Sequence, residues 1–153
     1  MPGIHEVHAL PYSAEQMFDL VADVARYGEF LPWVVATRVR SDSETEMIAD
    51  ILIGFNALRE KFTSRVTKHR PDSLTVHYID GPMRDLDNRW LFRPLDEHAC
   101  EVDFCVNFTF GNALFEALAG QYFERAFRKM VAAFETRAAE LYGSSSSSAI
   151  SVA

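Results

Sequence analysis

The residues that could carry acid–base or metal chemistry have spacings that do not favour it. His5 and His8 are three apart on a predicted strand, which places their side chains on opposite faces. His69 and His98 lie beside predicted turns, and His77 alternates out of phase with the apolar residues of its strand. None of them has the spacing of a metal site or a catalytic triad, so the sequence predicts surface histidines and no metal ligand.

The cysteines and carboxylates give little further indication of catalytic or metal-binding chemistry. Cys100 and Cys105 are five apart on one predicted strand, so their side chains point to opposite faces, and we expect no disulfide or shared metal between them. Asp50 and Glu60 are the carboxylates with strongly apolar surroundings in the sequence. Glu60 shares the parity of Phe62, which would turn its carboxylate inward, where it would need a basic partner.

Residues 27–33 concentrate large apolar side chains where neither a helix interior nor a central strand is expected. Pro32 lacks a backbone donor and pushes Leu31 out of the α region, which places Phe30, Leu31 and Trp33 on an irregular connection. Loops are normally polar because they run over the surface, so an apolar loop must lie over something apolar. This segment is a candidate lid.

A second candidate rim element is the turn at Gly81 and Pro82. It would face the lid, with Met83 and Leu86 as adaptable apolar walls. Plain hairpin chemistry explains the Gly-Pro pair equally well.

The composition is that of one folded domain. The chain has 153 residues, of which 48% are hydrophobic and 24% charged, and its 12 phenylalanines predict an aromatic-rich interior. The formal net charge of -7 disfavours long contact with phosphate backbones, so no DNA partner is expected. No apolar run approaches the roughly 18 to 20 residues of a membrane span, and the start has no basic region followed by an apolar one. We expect a cytoplasmic or already processed protein.

The elements that position these residues follow from hydrophobic periodicity. A strand at 4–10 precedes a short helix capped by Ser13, and from Val34 onward six or so antiparallel strands alternate apolar and polar residues. Asn112 then caps a long helix that Gly143 closes. Two adjoining apolar rows run along this helix: Leu118, Tyr122, Ala126, Met130, Phe134, Ala138 and Leu141, and beside them Phe115, Ala119, Phe123, Phe127 and Val131.

This order predicts an α+β domain over residues 1–143, in which a curved antiparallel sheet wraps one long C-terminal helix. Residues 144–153 form a Ser-rich tail that is predicted to be disordered. Because the sheet curves away from the helix axis, the space between them need not close, and an apolar ligand could bind there.

Basic side chains share the outer face of the predicted sheet. Arg59, Lys61 and Arg65 lie opposite Phe62 in parity, and Arg89 and Arg93 lie similarly on a later strand. Such charges are typical of a solvated face. The alternative is docking to anionic lipid headgroups, at about 1 kcal/mol per basic residue.

Four motifs carry a resemblance to a known family. They are Leu10-Pro11-Tyr12-Ser13-Ala14, Tyr27 with Phe30-Leu31-Pro32-Trp33, Gly81-Pro82 with Leu86 and Trp90, and Ala133-Phe134-Glu135 with Arg137-Ala138. Together they resemble the coenzyme Q-binding START proteins of mitochondria and their bacterial counterparts, within the helix-grip, polyketide cyclase-like superfamily. The match covers about residues 4 to 142. Val34 stands where many relatives have a cysteine, so no thiol role is expected there.

The resemblance implies a non-enzymatic protein that binds ubiquinone or a related polyprenyl lipid and supports respiratory electron transfer, with no cofactor besides that ligand. Leu31 and Trp33 would gate entry, and Trp90 would stack on the quinone ring. Ordinary core packing remains the alternative for most of the aromatic residues. The expected ligand-binding residues are Phe30, Leu31, Trp33, Phe62, Met83, Leu86, Trp90, Phe104, Phe108, Phe115, Leu118, Tyr122 and Met130.

Two other functions stay open within the same superfamily. Some bacterial relatives are toxins that block association of ribosomal subunits, which would make the large ribosomal subunit a partner. A cyclase or hydrolase of an aromatic polyketide would depend on an acid–base group such as Glu60. For the quinone carrier, peripheral contact with the inner face of the membrane and with respiratory complexes is part of the expectation.

Overall fold

The computed structural model describes residues 3–55 and 58–143, so the predicted tail at 144–153 lies outside the described residues. The elements in chain order are β1 Gly3–Leu10, α1 Ala14–Ala22, a 3₁₀ helix Val24–Glu29, β2 Val34–Asp42, β3 Glu46–Phe55, β4 Leu58–His69, β5 Ser73–Asp80, β6 Met83–Asp96, β7 Ala99–Phe110, α2 Ala113–Arg128 and α3 Met130–Tyr142.

The strands form one seven-stranded antiparallel sheet in the order β1-β7-β6-β5-β4-β3-β2. Trp90 on β6 pairs with Leu74 on β5 and with Phe104 on β7, and inward-facing apolar residues follow the same parity along each strand. Strand β2 is an edge and has register shifts between positions 34 and 36 and between 39 and 41. The sequence predictions of an antiparallel sheet and of a helix-grip α+β fold are confirmed.

Helix α1 begins where the capping pattern predicts. The Ser13 hydroxyl accepts from the Gln16 backbone N–H at 3.1 Å, and the Gln16 side chain accepts from the Ser13 N–H at 3.0 Å. The buried face of the helix includes Met17 and Phe18, and the Phe18 ring meets Phe92 edge-on at 6.0 Å. The helix therefore covers one end of the sheet.

The prediction of one continuous C-terminal helix is wrong at Lys129. Asn112 caps α2 by accepting from the Phe115 N–H at 2.7 Å, and Gly143 follows α3 at φ 82°. Between α2 and α3 the buried positions step by five residues, from Ala126 to Val131, whereas elsewhere they step by three or four. A straight helix would carry Val131 away from the sheet, so the break at Lys129 keeps both apolar faces on the core.

The core lies between the concave face of the sheet and the helices, and it is rich in aromatic residues, as predicted. The Trp90 ring lies 4.6 Å from Phe104 and 5.2 Å from Phe134, centroid to centroid, so β6, β7 and α3 meet at one cluster. Phe108 packs against Phe127 of α2 at 5.1 Å.

Candidate functional site

A cavity of about 140 Å³ lies between the concave sheet and the helices. Its wall is apolar except for Ser64, Asn88 and the hydroxyls of Tyr27 and Tyr122. Among the described residues, no carboxylate, histidine, lysine, arginine or cysteine lines it. The wall therefore suits an apolar ligand bound by area rather than by charge.

Seven of the predicted site residues line this cavity: Leu31, Trp33, Phe62, Leu86, Trp90, Tyr122 and Met130. Ile53, Tyr122 and Met130 keep part of their surface exposed. The sequence therefore located much of the wall, although ligand contact by these residues stays a prediction.

Five other predicted residues lie outside the cavity wall. Phe104 and Phe108 are buried in the core because Trp90 and Phe127 cover them. Met83 and Phe115 are buried at the β6–α2 end of the core. Phe30 belongs to the lid and packs against Phe134 of α3. Parity predicts which side chains point inward, but it does not distinguish core from cavity wall.

Leu118 does not line the cavity, and its side chain is 62% exposed, so ligand contact by this residue stays a prediction. Helix α2 turns Phe115, Ala119 and Phe123 towards the sheet, so its buried stripe is narrower than the two rows predicted from the sequence. Leu118 and Leu114 instead form an exposed apolar ridge on the outer side of α2.

The predicted lid covers the cavity. Residues 24–29 form a 3₁₀ helix, and the Leu31 N–H then donates to the Tyr27 carbonyl at 2.9 Å. Leu31 is almost completely buried, and the Trp33 carbonyl accepts from the Gly54 N–H at 3.0 Å. The segment is thus an apolar connection held over an apolar space.

Arg137 of α3 fastens this lid, a role that sequence reasoning missed. Its guanidinium, on a side chain only 14% exposed, forms an ion pair with Glu29 and lies 5.2 Å from the centre of the Phe30 ring. The Phe134 ring meets Phe30 at 5.1 Å and Tyr27 at 5.3 Å. Arg137 belongs to one of the recognised motifs, but its partner lies 108 residues away, which no local pattern shows.

The two cavity tyrosines are neutral and already hydrogen-bonded. The Tyr27 hydroxyl donates to the Val21 carbonyl, and burial raises the pKa of Tyr27 far above its ordinary value. The Tyr122 hydroxyl donates to the Gly54 carbonyl at 3.0 Å, and burial raises its pKa as well. Neither hydroxyl is therefore available as a base near neutral pH.

Asn88 and Ser64 are the remaining polar groups of the wall, and both were missed. The Asn88 oxygen accepts from the Trp90 indole N–H, and its amide nitrogen donates to the Cys105 carbonyl, each at 3.0 Å. Both residues are in phase with inward-facing neighbours, Asn88 with Leu86 and Trp90, so strand parity alone could have found them.

Apart from Tyr27 and Tyr122, the titratable groups of the described residues lie outside the cavity wall. His5 bonds to Asp103 at 2.8 Å on the outer face of β1 and β7. Cys100 is buried, with its pKa raised by desolvation to about 11, and Cys105 is half-buried on the opposite face, as parity predicts. Within the described ranges, no three His, Cys, Asp or Glu side chains are grouped so as to hold a metal ion. Glu60 does not line the cavity.

The outer face carries a basic patch that is partly neutralised. Buried Asp50 accepts from the Thr63 hydroxyl at 2.6 Å and from Arg40 at 2.8 Å, and these bonds hold the pKa of its carboxyl below the usual range. Arg65 lies 3.5 Å from Glu46. Arg38 and Lys61 are exposed and take part in no ion pair within the described chain.

None of the helices in the described part of the chain has the length and apolar character needed to cross a bilayer.

Residues 10–135 match the family model described as polyketide cyclase/dehydrase and lipid transport. The chain belongs to this family. Three similar proteins narrow the comparison.

The ribosome association toxin RatA of Escherichia coli K12 is 36% identical over 93% of this chain and 90% of its own length. The mitochondrial coenzyme Q-binding protein COQ10 homolog B of Xenopus laevis is 33% identical over 90% of this chain and 58% of its own length. The solution structure of the 18 kDa protein CC1736 from Caulobacter crescentus superposes with a TM-score of 0.71 at 36% identity, covering 94% of this chain and 100% of that one.

Proposed function

We propose that this protein binds ubiquinone or a related polyprenyl quinone in the cavity and supports respiratory electron transport as a non-enzymatic carrier. The observation that carries the proposal is the wall of the cavity, which is aromatic and aliphatic with four isolated polar groups. Similarity to a coenzyme Q-binding protein supports the same class of ligand.

Binding to such a wall needs area and no catalytic group. Burying about 200 Å² of apolar ligand surface contributes about 5 kcal/mol, which a quinone ring and the start of its tail can supply. The indole of Trp90 lines the cavity and would contact the ring, while Leu31 and Trp33 cover it. The lid would open to admit the ligand and close over it.

The wall also supports a non-enzymatic role. General acid–base catalysis needs a group that titrates near the working pH and reaches the substrate. The only titratable groups in the described wall are Tyr27 and Tyr122, whose raised pKa values and backbone hydrogen bonds keep them neutral. Turnover of an aromatic polyketide is therefore not part of the proposal.

Delivery of a polyprenyl quinone requires contact with a bilayer, and the exposed ridge of Leu114 and Leu118 would make it. Exposed apolar side chains that lie together on a helix are suited to the interfacial region of a membrane. In this proposal the contact is peripheral.

The test is to purify the protein from cells that make ubiquinone, extract it with organic solvent and analyse the extract by mass spectrometry. We expect near-stoichiometric quinone. Both tryptophans of the chain line the cavity, so titration with a quinone should also quench most of the indole fluorescence. An extract without quinone, together with no quenching on titration, would contradict the proposal.

Ribosome association is the second candidate, favoured by the similarity to the E. coli ribosome association toxin and by the exposed cations Arg38 and Lys61. Phosphate contacts are electrostatic and weaken with salt. We expect salt-sensitive co-sedimentation with the large ribosomal subunit if this role holds, and Arg38→Glu with Lys61→Glu should abolish it. Arg128→Glu on α2 is the matched control, and equal loss in both variants would exclude this face.

A further inference from the structure

We propose that the cavity binds its ligand ring-first, and that Ser64 and Asn88 hold two oxygen atoms on opposite sides of that ring. This inference rests on the proposed function for the kind of ligand, and it adds the orientation of the ligand and the chemistry that selects it. The wall would then distinguish a para-dioxygenated ring from a hydrocarbon ring of the same size.

The size of the cavity sets the orientation. An apolar cavity of about 150 Å³ binds one benzene molecule. At about 140 Å³ the present cavity is of similar size, so it holds one six-membered ring and leaves no room for a polyprenyl chain beside it. The tail must therefore lie outside the cavity.

The amide of Asn88 is fixed in one orientation. The Trp90 indole N–H can only donate, so the atom facing it is the Asn88 oxygen, and the Cys105 carbonyl can only accept, so the atom facing it is the nitrogen. The amide nitrogen carries a second hydrogen, and Asn88 lines the cavity. One preorganised donor is thus left for a ligand oxygen.

Ser64 supplies the second group. Its side chain lines the cavity beside Phe62 and Val66, and no hydrogen bond from its hydroxyl to another group exists within residues 3–55 and 58–143. Ser64 is half-buried, and its hydroxyl is available to donate to an acceptor on the ligand.

The separation of the two groups suits a ring. Ser64 lies on β4 and Asn88 on β6, with β5 between them. Asn88 is opposite Val76 and Val76 is opposite Val66, so Ser64 is displaced by two residues along its strand and the two backbones are roughly 12 Å apart. One ligand atom cannot reach both side chains. A ring with oxygens at opposite ends can, because each hydrogen bond adds about 2.8 Å to the span of the ligand.

The experiment uses duroquinone, a ring with two opposite carbonyls and no tail, and durene, the same methylated ring without oxygens. Binding of duroquinone is measured by its quenching of the indole fluorescence. Binding of durene is measured by the recovery of fluorescence as durene displaces duroquinone. The wild type should bind duroquinone about 25-fold more tightly than durene, because each of two hydrogen bonds contributes about fivefold. Ser64→Ala should weaken the binding of duroquinone about fivefold and leave the affinity for durene unchanged.

Val76→Ala is the matched control, because it removes apolar wall area and should weaken both rings equally. Asn88 is left intact, since removing its side chain would take away the acceptor of the Trp90 indole N–H. Equal affinities of the wild type for the two rings, or no effect of Ser64→Ala on duroquinone, would overturn the inference and leave the proposed function standing. Binding of decylubiquinone without binding of duroquinone would show tail-first entry and also overturn it. Failure of both quinones to bind would remove the proposed function itself.

Discussion

Replacing Arg137 by Met should loosen the lid while leaving the core packed. Methionine keeps the unbranched apolar stem and removes the guanidinium, so the ion pair with Glu29 and the contact with the Phe30 ring are lost. The aromatic contacts of Phe134 with Tyr27 and Phe30 remain. The substitution also removes an exposed ion pair with Glu140 within α3, which contributes only a few tenths of a kcal/mol to the helix. The main effect of the variant is therefore on the contacts that hold the lid.

The expected size of the effect follows from those two contacts. An ion pair with a glutamate that is 49% exposed contributes about 0.5 kcal/mol. A cation over an aromatic ring adds roughly 0.5 to 1 kcal/mol at a partly exposed site. The sum of about 1 to 1.5 kcal/mol corresponds to a fivefold to tenfold shift towards the open lid.

Stopped-flow fluorescence of the quinone complex measures this shift as a faster off-rate. We expect the rate of release to rise fivefold to tenfold, in proportion to the open population. Arg128→Met is the matched control, because Arg128 pairs only with Glu124 on the solvent side of α2 and is remote from the lid. An unchanged off-rate in Arg137→Met, with normal far-ultraviolet circular dichroism, would refute the role of this arginine as a fastening.

Three further predictions concern the membrane, acid stability and one turn. Leu114→Ser with Leu118→Ser should reduce flotation with anionic liposomes, whereas Leu95→Ser, which is equally exposed on β6, should not. The pKa of the Asp50 carboxyl is lower in the folded protein than its unfolded value of 3.8, so the ionised carboxylate stabilises the fold above pH 3.8. This stabilisation is lost as the pH falls through the folded pKa. In urea unfolding, Asp50→Asn should therefore be less stable than the wild type at pH 7 and nearly equal to it in strong acid. Gly81→Ala should reduce the free energy of unfolding by about 1 to 3 kcal/mol and lower the melting temperature, because Gly81 has a φ of +150° and an added Cβ would lie 2.8 Å from the Lys61 carbonyl oxygen. An unchanged melting temperature would contradict this.

Local patterns predicted the elements well because each depends on neighbours in sequence. The Ser13 capping box lies within four residues, and the alternation in β7 is an intrinsic property of a strand with one buried face. The five-residue spacing between Ala126 and Val131 in the sequence is also consistent with the break at Lys129. It was missed because half-buried Phe127 and Met130 fill the gap in the pattern.

The site itself was only partly predictable. Parity placed Trp90 and Phe104 on the same face, but only the packing of β6 against β7 shows that the first lines the cavity and the second supports it. The pairing of Arg137 with Glu29 depends on the path of α3 over the lid, which three-dimensional structure alone determines. Asn88 could have been found, since a polar residue in phase with buried apolar ones needs a partner or a purpose.

The irregular edge strand β2 bears on how the protein behaves at high concentration. An exposed, regular edge offers unpaired N–H and carbonyl groups to a second chain, and such edges promote fibrous aggregation. Here two register shifts interrupt β2; Arg38 lies between them and Arg40 lies within the second. Their charges and the broken ladder oppose the addition of a strand from a second chain, so we expect β2 to resist polymerisation.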